Sequence, residues 1–443
     1  MRVDDTARAD GAMPSLRRIA ALAVPALVVL AAEPIYVLVD TAVVGHLPGR
    51  TPLAALSVSG AIMSFTAWLG GVVAYGTTGR AARFFGAGRR ADAVAEGVQA
   101  SWLALAAGVV IWLVLEVVAG PFTRLIAGDH PDVARAAAGW LRIAACGAPG
   151  LLLGTAGNGW MRGVQDTRRP LVYVVGANLL SAVLCPLLVY PAHLGLTGSA
   201  IANASAQSVA GLLFARALVV EQVSLRPHLA VIVRQLVLGR DLLIRGAAFQ
   251  ACFLSASAVA ARFGEAALAA HQIALQLWLF CALALDAVAI AAQALVGAAH
   301  GGARAGEARR LGRRIATIGG VCGTGVGILV VAAAPLLRPV FGVDAGVYDQ
   351  AMRAWWWFAG MQPFAGVVFA LDGVFIGAGD AVYLRNSTIF SALFGFLPMI
   401  WLSLWLKLGL GGVWVGLTLF VLFRLAALLA RLRGDRWLVT GTH

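Results

Sequence analysis

The sequence predicts an all-α multi-pass membrane protein with twelve transmembrane helices in two six-helix lobes. The first observation is composition, because 60% of the 443 residues are apolar and only 12% are charged, whereas about a quarter of a soluble domain is charged. The second is a series of long apolar runs, and the third is an internal repeat. This composition excludes a soluble enzyme and a disordered chain.

The apolar runs are bounded by Gly, Pro or charged residues, and each approaches or exceeds the roughly 20 residues that a helix needs to cross a bilayer. A chain of this length has room for about a dozen such spans. We predict them, in chain order, at residues 19–46, 53–77, 94–118, 134–157, 170–190, 198–220, 241–261, 267–298, 315–337, 351–376, 382–406 and 411–432.

The basic residues orient these spans. Most lie in the two tails and the even-numbered loops, including Arg245 in loop 6–7, and positive residues are retained in the cytoplasm. We therefore expect a cell-membrane protein with both termini cytoplasmic. The net charge of +13 is then a topological signal with attraction to the lipid bilayer, and nucleic acid is not an expected partner. The opposite loops hold only Arg50, Arg124, Arg135, Arg262, Arg338, Arg353 and Lys407.

The two halves of the chain repeat one another. Gly86 and Arg89 match Gly301 and Arg304 at an offset of 215, and at an offset of 214 a second set of Pro, Gly and Asp residues also matches. Six spans per half place both copies in the same orientation, related by a pseudo-twofold axis along the membrane normal. Duplicated lobes favour a transporter, although channels and membrane enzymes also arise by duplication. The predicted organisation is a cytoplasmic tail at 1–18, an N-lobe at 19–220, a cytoplasmic loop at 221–240, a C-lobe at 241–432 and a cytoplasmic tail at 433–443.

Three acids are predicted inside the membrane: Glu33 and Asp40 in helix 1, and Asp286 in helix 8. A charged side chain at mid-bilayer costs on the order of 2.5–3.5 kcal/mol, so such a residue is a functional candidate by default. Glu33 and Asp40 are two turns apart and share a helix face. A carboxyl group in a low-dielectric setting retains its proton more readily than in water. Either acid is a candidate to exchange a proton or to share a Na⁺, and an interhelical contact is the alternative reading.

Other polar side chains and two helix-1 prolines complete the candidate set. Interhelical hydrogen bonding explains each polar residue equally well. The five cysteines have no metal-ligand spacing, so no metal site is predicted. The candidates are Asn178, Ser181, Cys185 and Asn203 for an N-lobe cavity, His271, Gln272 and Gln276 beside Asp286 for a C-lobe cavity, and Pro25 and Pro34 for a helix-1 hinge.

Several segments resemble the multidrug and toxic compound extrusion (MATE) transporters, in particular the DinF-like branch. The most specific are EPIYVLVDTAVVGHL at 33–47 and WMRGVQDTRRP at 160–170, and the likeness covers nearly the whole chain after the tail. The resemblance implies a MATE-like fold of two six-helix lobes. It also implies efflux of amphipathic, often cationic compounds in exchange for H⁺ or Na⁺.

The resemblance also assigns roles to individual residues. Asp40 matches the helix-1 acid on which coupling in this branch is placed, Pro25 matches the position of a proposed bend, and Asn178 matches the helix-5 asparagine. The branch continues as NxxNxxxD, but this chain has Ser181 and Cys185 at the last two of those positions. Either Glu33 replaces the missing carboxylate, or coupling depends on Asp40 alone or together with Asp286. We expect H⁺ as the coupling ion, with Na⁺ as the alternative.

The sequence therefore predicts a secondary antiporter for amphipathic small molecules, acting as a monomer without a cofactor. No P-loop motif is present, so we expect an ion gradient to drive transport. A flippase for a lipid-like solute is the second reading, and it would need a basic cavity, whereas we count only three arginines as membrane-embedded: Arg142, Arg216 and Arg424. A membrane-embedded transferase is a third reading, but it needs a cluster of carboxylates near one membrane face.

Overall fold

The computed structural model describes residues 14–342 and 344–441, without the side chains of residues 69 and 72–75, and within those ranges its regular elements are all helical. Prolines stand at the first or second position of α2, α4 and α5, where the missing N–H has no intrahelical partner to lose. The helices are α1 (Leu16–Gly45), α2 (Thr51–Gly86), α3 (Arg90–Ala127), α4 (Pro131–Ala145), α5 (Ala148–Gly163), α6 (Arg168–Val189), α7 (Gly195–Val220), α8 (Leu229–Arg262), α9 (Glu265–Gly301), α10 (Ala305–Ala333), α11 (Leu337–Phe341), α12 (Ala345–Gly377), α13 (Ala381–Phe390), α14 (Leu397–Trp405) and α15 (Gly409–Arg433).

Each of the twelve predicted spans coincides with one of these helices or with a pair of them. Within the described residues, ten helical segments are long and apolar enough to cross a membrane, and the pair α4 and α5, bent by 50° at its break, makes an eleventh. The predicted span 53–77 lies in α2. Two spans are interrupted: Cys146 and Gly147 separate α4 from α5, and a π-helical segment at Ser391–Phe396 joins α13 to α14. The chain is thus a multi-pass membrane protein.

The chain divides into two compact units. One comprises Val24–Gly239, and the other combines the residues up to Ala23 with those from Arg240 onward. Both divisions fall inside helices, because the first cuts α1 just before Pro25 and the second cuts α8 at Gly239. The two units are called below the N-terminal unit and the C-terminal unit.

The predicted repeat is visible in the backbone. Gln165 and Gly379, which are 214 residues apart, both adopt a left-handed conformation, with φ of 63° and 73°. The next residue in each copy closes the turn with the same bond, from Asp166 N to Met161 O and from Asp380 N to Phe375 O, at 2.9 and 2.8 Å. Five further pairs of left-handed residues recur at offsets of 214 or 215: Gly49 and Gly264, Gly88 and Ala303, Gly128 and Gly342, His193 and Lys407, and Gly195 and Gly409.

Small residues bring helices close together in each unit. In the N-terminal unit, a Cβ on Gly211 of α7 would lie 2.5 Å from the Cα of Gly150 in α5. In the C-terminal unit, a Cβ on Gly366 of α12 would overlap the carbonyl of Gly319 in α10. Membrane helices associate largely through such close packing, because lipid offers little hydrophobic gain between them.

The helix bounds differ from the predicted division at the inter-lobe loop. Of the loop expected at 221–240, the residues from Leu229 onward belong to α8, and Gln235 in its second turn donates hydrogen bonds to Glu96 of α3. The last helix, α15, ends at Arg433, where the C-terminal tail is expected to begin; in that tail Trp437 is 1% exposed, and its ring lies 5.5 Å from that of His300. Of the predicted N-terminal tail at 1–18, residues 1–13 lie outside the described residues, and α1 already begins at Leu16.

Candidate functional site

Three side chains of α1 form a polar stripe in the N-terminal unit. Glu33, Tyr36 and Asp40 are spaced by three and four residues, so they lie on one face of the helix. Tyr36 and Asp40 are buried, whereas Glu33 is exposed within the unit. The two acids stand out in the sequence because they interrupt an apolar run, whereas the tyrosine between them is marked only by its spacing of three and four residues from them.

Asp40 is held by neutral donors from two other helices. The Cys185 thiol of α6 lies 3.1 Å from Asp40 Oδ1 and donates to it, and the Ser199 hydroxyl of α7 donates to the same oxygen at 2.7 Å. Ser199 in turn accepts from the indole N–H of Trp140 at 3.0 Å. All these polar groups are buried. The partners satisfy one carboxylate oxygen without a cation and without a second acid.

A second polar contact lies one turn along α1. Asn203 of α7 donates from Nδ2 to the hydroxyl oxygen of Tyr36 at 3.0 Å. The other amide atom, Asn203 Oδ1, is buried and has no hydrogen-bond partner among the described residues, and the Ser181 hydroxyl of α6 is buried on the same side of α1. The predicted residues Ser181, Cys185 and Asn203 are thus buried or half-buried on the helices that face the α1 stripe.

A cavity of about 220 Å³ lies at the Glu33 end of the polar stripe. Glu33 and Arg162 bring opposite charges to it, and the amides of Asn158, Asn178 and Gln207 are further polar lining groups. Asn178 itself donates to the carbonyl of Val174, 3.0 Å away, in its own helix. The rest of the wall is mostly apolar, a combination typical of sites for amphipathic small molecules. The lining also includes Val29, Leu30, Ala67, Leu151, Thr155, Val174, Ala177, Ala206 and Phe214.

The predicted hinge prolines lie within α1. The helix runs without interruption through Pro25 and Pro34, each of which removes one backbone hydrogen bond. Pro34 directly follows Glu33, so the backbone of α1 beside the cavity lacks one hydrogen bond. Pro25 lies at the division between the two units.

The predicted C-lobe set is only partly brought together on α9. His271 is fully buried with its ring 6.0 Å from that of Trp414, whereas Gln272 and Gln276 lie on the exposed side of the same helix. Asp286 is half-buried ten residues further on, about 15 Å along the axis. Gln272 and Gln276 therefore share a side of α9 that His271 does not.

The list of acids inside the membrane was incomplete, because Asp372 is buried in α12, within the predicted span 351–376. Asp372 accepts hydrogen bonds from Arg424 of α15 at 2.6 and 2.9 Å and from Arg245 of α8 at 2.6 Å. The assignment of Arg245 to a cytoplasmic loop was also wrong, because it lies midway along α8. Charge alone does not separate a loop arginine from one that is paired inside a helical bundle.

The buried acids of the two units thus have different kinds of hydrogen-bond partner. Asp40 has neutral donors, which tolerate both the charged and the protonated carboxyl. Asp372 lies between two guanidinium groups, which stabilise only the charged form. A bundle of membrane helices with a polar cavity and a buried acid held by neutral donors has the features of a membrane transporter.

Comparison with known proteins also indicates a membrane transporter. The MatE family model matches residues 25–187 and 242–401. Protein DETOXIFICATION 44, chloroplastic, of Arabidopsis thaliana is 32% identical over 92% of this chain and 80% of its own length. DNA damage-inducible protein F of Escherichia coli K12 is 30% identical over 91% and 89%. The chain belongs to the MATE family of membrane transporters.

Solved structures share the fold. One example is the outward-facing conformation of a multidrug resistance MATE family transporter of the MOP superfamily, which superposes with a TM-score of 0.85 at 21% identity. The match covers 97% of each chain. At this identity the likeness concerns the fold alone, and that fold agrees with the predicted MATE-like architecture.

Proposed function

We propose that this transporter is a secondary antiporter that exports amphipathic, often cationic small molecules in exchange for H⁺ by alternating access. One observation carries the proposal. The same face of α1 presents a buried acid, Asp40, which is hydrogen-bonded to neutral donors, and a second acid, Glu33, which lines a cavity. Asp40 is the proton carrier in this scheme, and Glu33 is the acid that faces the substrate cavity.

The surroundings of Asp40 support proton exchange. A carboxyl group that accepts from a thiol and a hydroxyl retains a partner in either protonation state, since both donors can rotate. Protonation therefore requires no rearrangement of a salt bridge, in contrast to Asp372, whose charge two arginines fix in place.

The same surroundings favour H⁺ over Na⁺. Hard cations prefer several oxygen ligands, with carboxylates foremost. Position 185 supplies a thiol, which contacts Asp40 directly, and thiol sulfur is a poor ligand for hard ions. Within the described residues, no group of three or more His, Cys, Asp and Glu side chains is arranged to hold a metal ion.

The cavity supports an amphipathic cationic substrate. Its walls are largely apolar, and Glu33 is the acid that lines it. Glu33 and Asp40 are on one helix face, about 10 Å apart along the axis. Proton uptake on this face weakens its attraction for a cation, so substrate release and protonation are coupled through charge.

The location and topology follow from the sequence. Because the basic residues lie mostly in the tails and even-numbered loops, we place the protein in the cell membrane with both termini in the cytoplasm. The chain acts as a monomer in this proposal, since each polar group of the site comes from one N-terminal unit.

The test is transport by purified protein in liposomes with separate gradients of pH and Na⁺. A panel of cationic dyes serves as substrate. We expect the pH gradient to drive dye accumulation and the Na⁺ gradient to have no effect at a clamped pH. Accumulation driven by Na⁺ alone would overturn the coupling assignment, and a failure of both gradients would overturn the antiport proposal.

A further inference from the structure

The C-terminal unit contains a buried cluster with more positive than negative charge. Arg245 and Arg424 share the single carboxylate of Asp372, so the three side chains carry a net charge of +1. The Arg424 and Asp372 side chains are 3% and 8% exposed, and that of Arg245 is 15% exposed. A charge of this kind inside a membrane-embedded bundle is costly unless a counter-charge is supplied.

The cluster also has more donors than acceptors. Two guanidinium groups offer ten N–H donors, and their hydrogen bonds in the structure are the three that Asp372 accepts. The Nε atoms of both Arg245 and Arg424 are buried and have no partner within the described part of the chain. Buried donors normally find an acceptor, so this cluster is chemically suited to a further one.

The neighbouring acid does not supply the missing charge. Asp241 lies one turn before Arg245 on α8, but it is itself paired with Arg240 and with Arg385 of α13. Each carboxylate therefore lies between two guanidinium groups. Topological retention of basic residues accounts for Arg240, which is 62% exposed, but not for Arg424, which is buried inside the bundle.

The surroundings suggest the kind of ligand. The ring of Phe249 lies 4.8 Å from the guanidinium carbon of Arg424 and 5.4 Å from that of Arg245, and Phe420 lies 5.9 Å from that of Arg424. Asp372 is five residues from the end of α12, about 8 Å along the axis. Guanidinium pairs recognise carboxylate and phosphate groups.

We propose that Arg245 and Arg424 form an oxyanion site that binds the carboxylate or phosphate group of an amphipathic anion, with Asp372 orienting the two guanidinium groups. A monoanion balances the excess charge of the cluster and accepts from the unpaired donors. Arg245 is the reachable member, because part of its side chain is exposed. The rings of Phe249 and Phe420 accommodate the apolar part of the ligand.

The experiment measures thermal stability of the purified full-length protein in detergent against benzoate, inorganic phosphate and the neutral analogue benzamide. Because a ligand that binds the folded state raises its stability, we expect saturating benzoate to raise the Tm by about 2 °C or more and benzamide to leave it unchanged. Arg245→Gln should weaken the apparent affinity for benzoate about tenfold or more. Arg262→Gln, at the C-terminal end of α8, is the matched control and should bind as wild type.

The Asp372→Asn variant should change the affinity for benzoate in the opposite direction. Removing the competing carboxylate should strengthen benzoate binding, so a gain in one variant and a loss in the other distinguish a binding site from a structural ion cluster. Where Arg245→Gln does not fold, Arg245→Lys retains the charge but loses the forked donor, and it should also bind more weakly. Asp40→Asn should leave the anion response intact, which separates this proposal from proton coupling.

The source of the oxyanion is tested in nanodiscs. If phosphatidylglycerol raises the Tm relative to phosphatidylcholine and abolishes the benzoate response, the ligand is a lipid headgroup. If phosphatidylglycerol has no effect while benzoate binds, it is a soluble anion. The absence of any response of wild type and Asp372→Asn to benzoate, phosphate and phosphatidylglycerol would overturn the proposal. Equal loss of binding in Arg245→Gln and Arg262→Gln would also overturn it.

Discussion

Replacing Asp40 by Asn removes the proposed proton carrier while preserving its shape. The amide oxygen still accepts from Ser199 and Cys185, which contact Oδ1 at 2.7 and 3.1 Å in the wild type. The loss in stability is then the difference between charged and neutral hydrogen bonds, about 1 kcal/mol for each of two bonds. We expect the variant to fold and to insert, so a change in transport reports on coupling.

The expected loss of coupling is large. A pH difference of one unit is worth about 1.4 kcal/mol per proton, which supports about tenfold accumulation of substrate for each proton exchanged. Wild-type protein in liposomes should approach that ratio, whereas Asp40→Asn should equilibrate the dye without accumulating it. The assay is the steady-state ratio of internal to external dye under an imposed pH gradient.

Glu116→Gln is the matched control. Glu116 is another acid in a membrane helix of the N-terminal unit, and it accepts a hydrogen bond from Trp112 of its own helix at 3.2 Å. It takes no part in the Asp40 network. The control should accumulate dye as the wild type does. Retention of full accumulation by Asp40→Asn, or an equal loss in Glu116→Gln, would show that the reasoning about Asp40 is wrong.

Three further substitutions test other parts of the account. Cys185→Asp puts a second carboxylate next to the coupling acid, and it should make accumulation respond to a Na⁺ gradient; dye uptake that still depends on pH alone would contradict this. Gly366→Leu forces a side chain against the carbonyl of Gly319 and should lower the Tm of the purified protein through overpacking of about 1–3 kcal/mol. Trp437→Ala removes a ring that is 1% exposed and should cost about 3–5 kcal/mol, so a wild-type Tm would show that the C-terminal segment does not dock.

The helices and the repeat were predictable because both produce sequence patterns that extend over many residues. A run of about 20 apolar residues predicts a membrane-spanning helix, because a helix satisfies its backbone hydrogen bonds internally and few other structures can do so in a membrane. The repeat was readable from Gly and Asp residues at turns, such as Asp166 and Asp380, and the structure shows a left-handed residue directly before each of these two, at Gln165 and Gly379. Asp40 was predictable for a different reason, since an acid in an apolar run is conspicuous.

The partners of those acids were not predictable. Ser199 and Tyr36 are ordinary residues in apolar runs, and their value depends on which helix faces which. Asp372 was overlooked because it is close to the end of its span, and Arg245 because a basic residue near a boundary is indistinguishable from a loop residue. Trp437 follows the last span in a short charged segment, so no periodicity marks it as buried.

The most direct test of the central claim is proton release on substrate binding. Purified protein in weakly buffered detergent solution is mixed with a cationic dye, and a pH indicator records protons released per dye bound. The account predicts release of a proton from wild type and from Glu116→Gln, and none from Asp40→Asn, since protonation and substrate compete on the α1 face. Equal release from wild type and Asp40→Asn would contradict it.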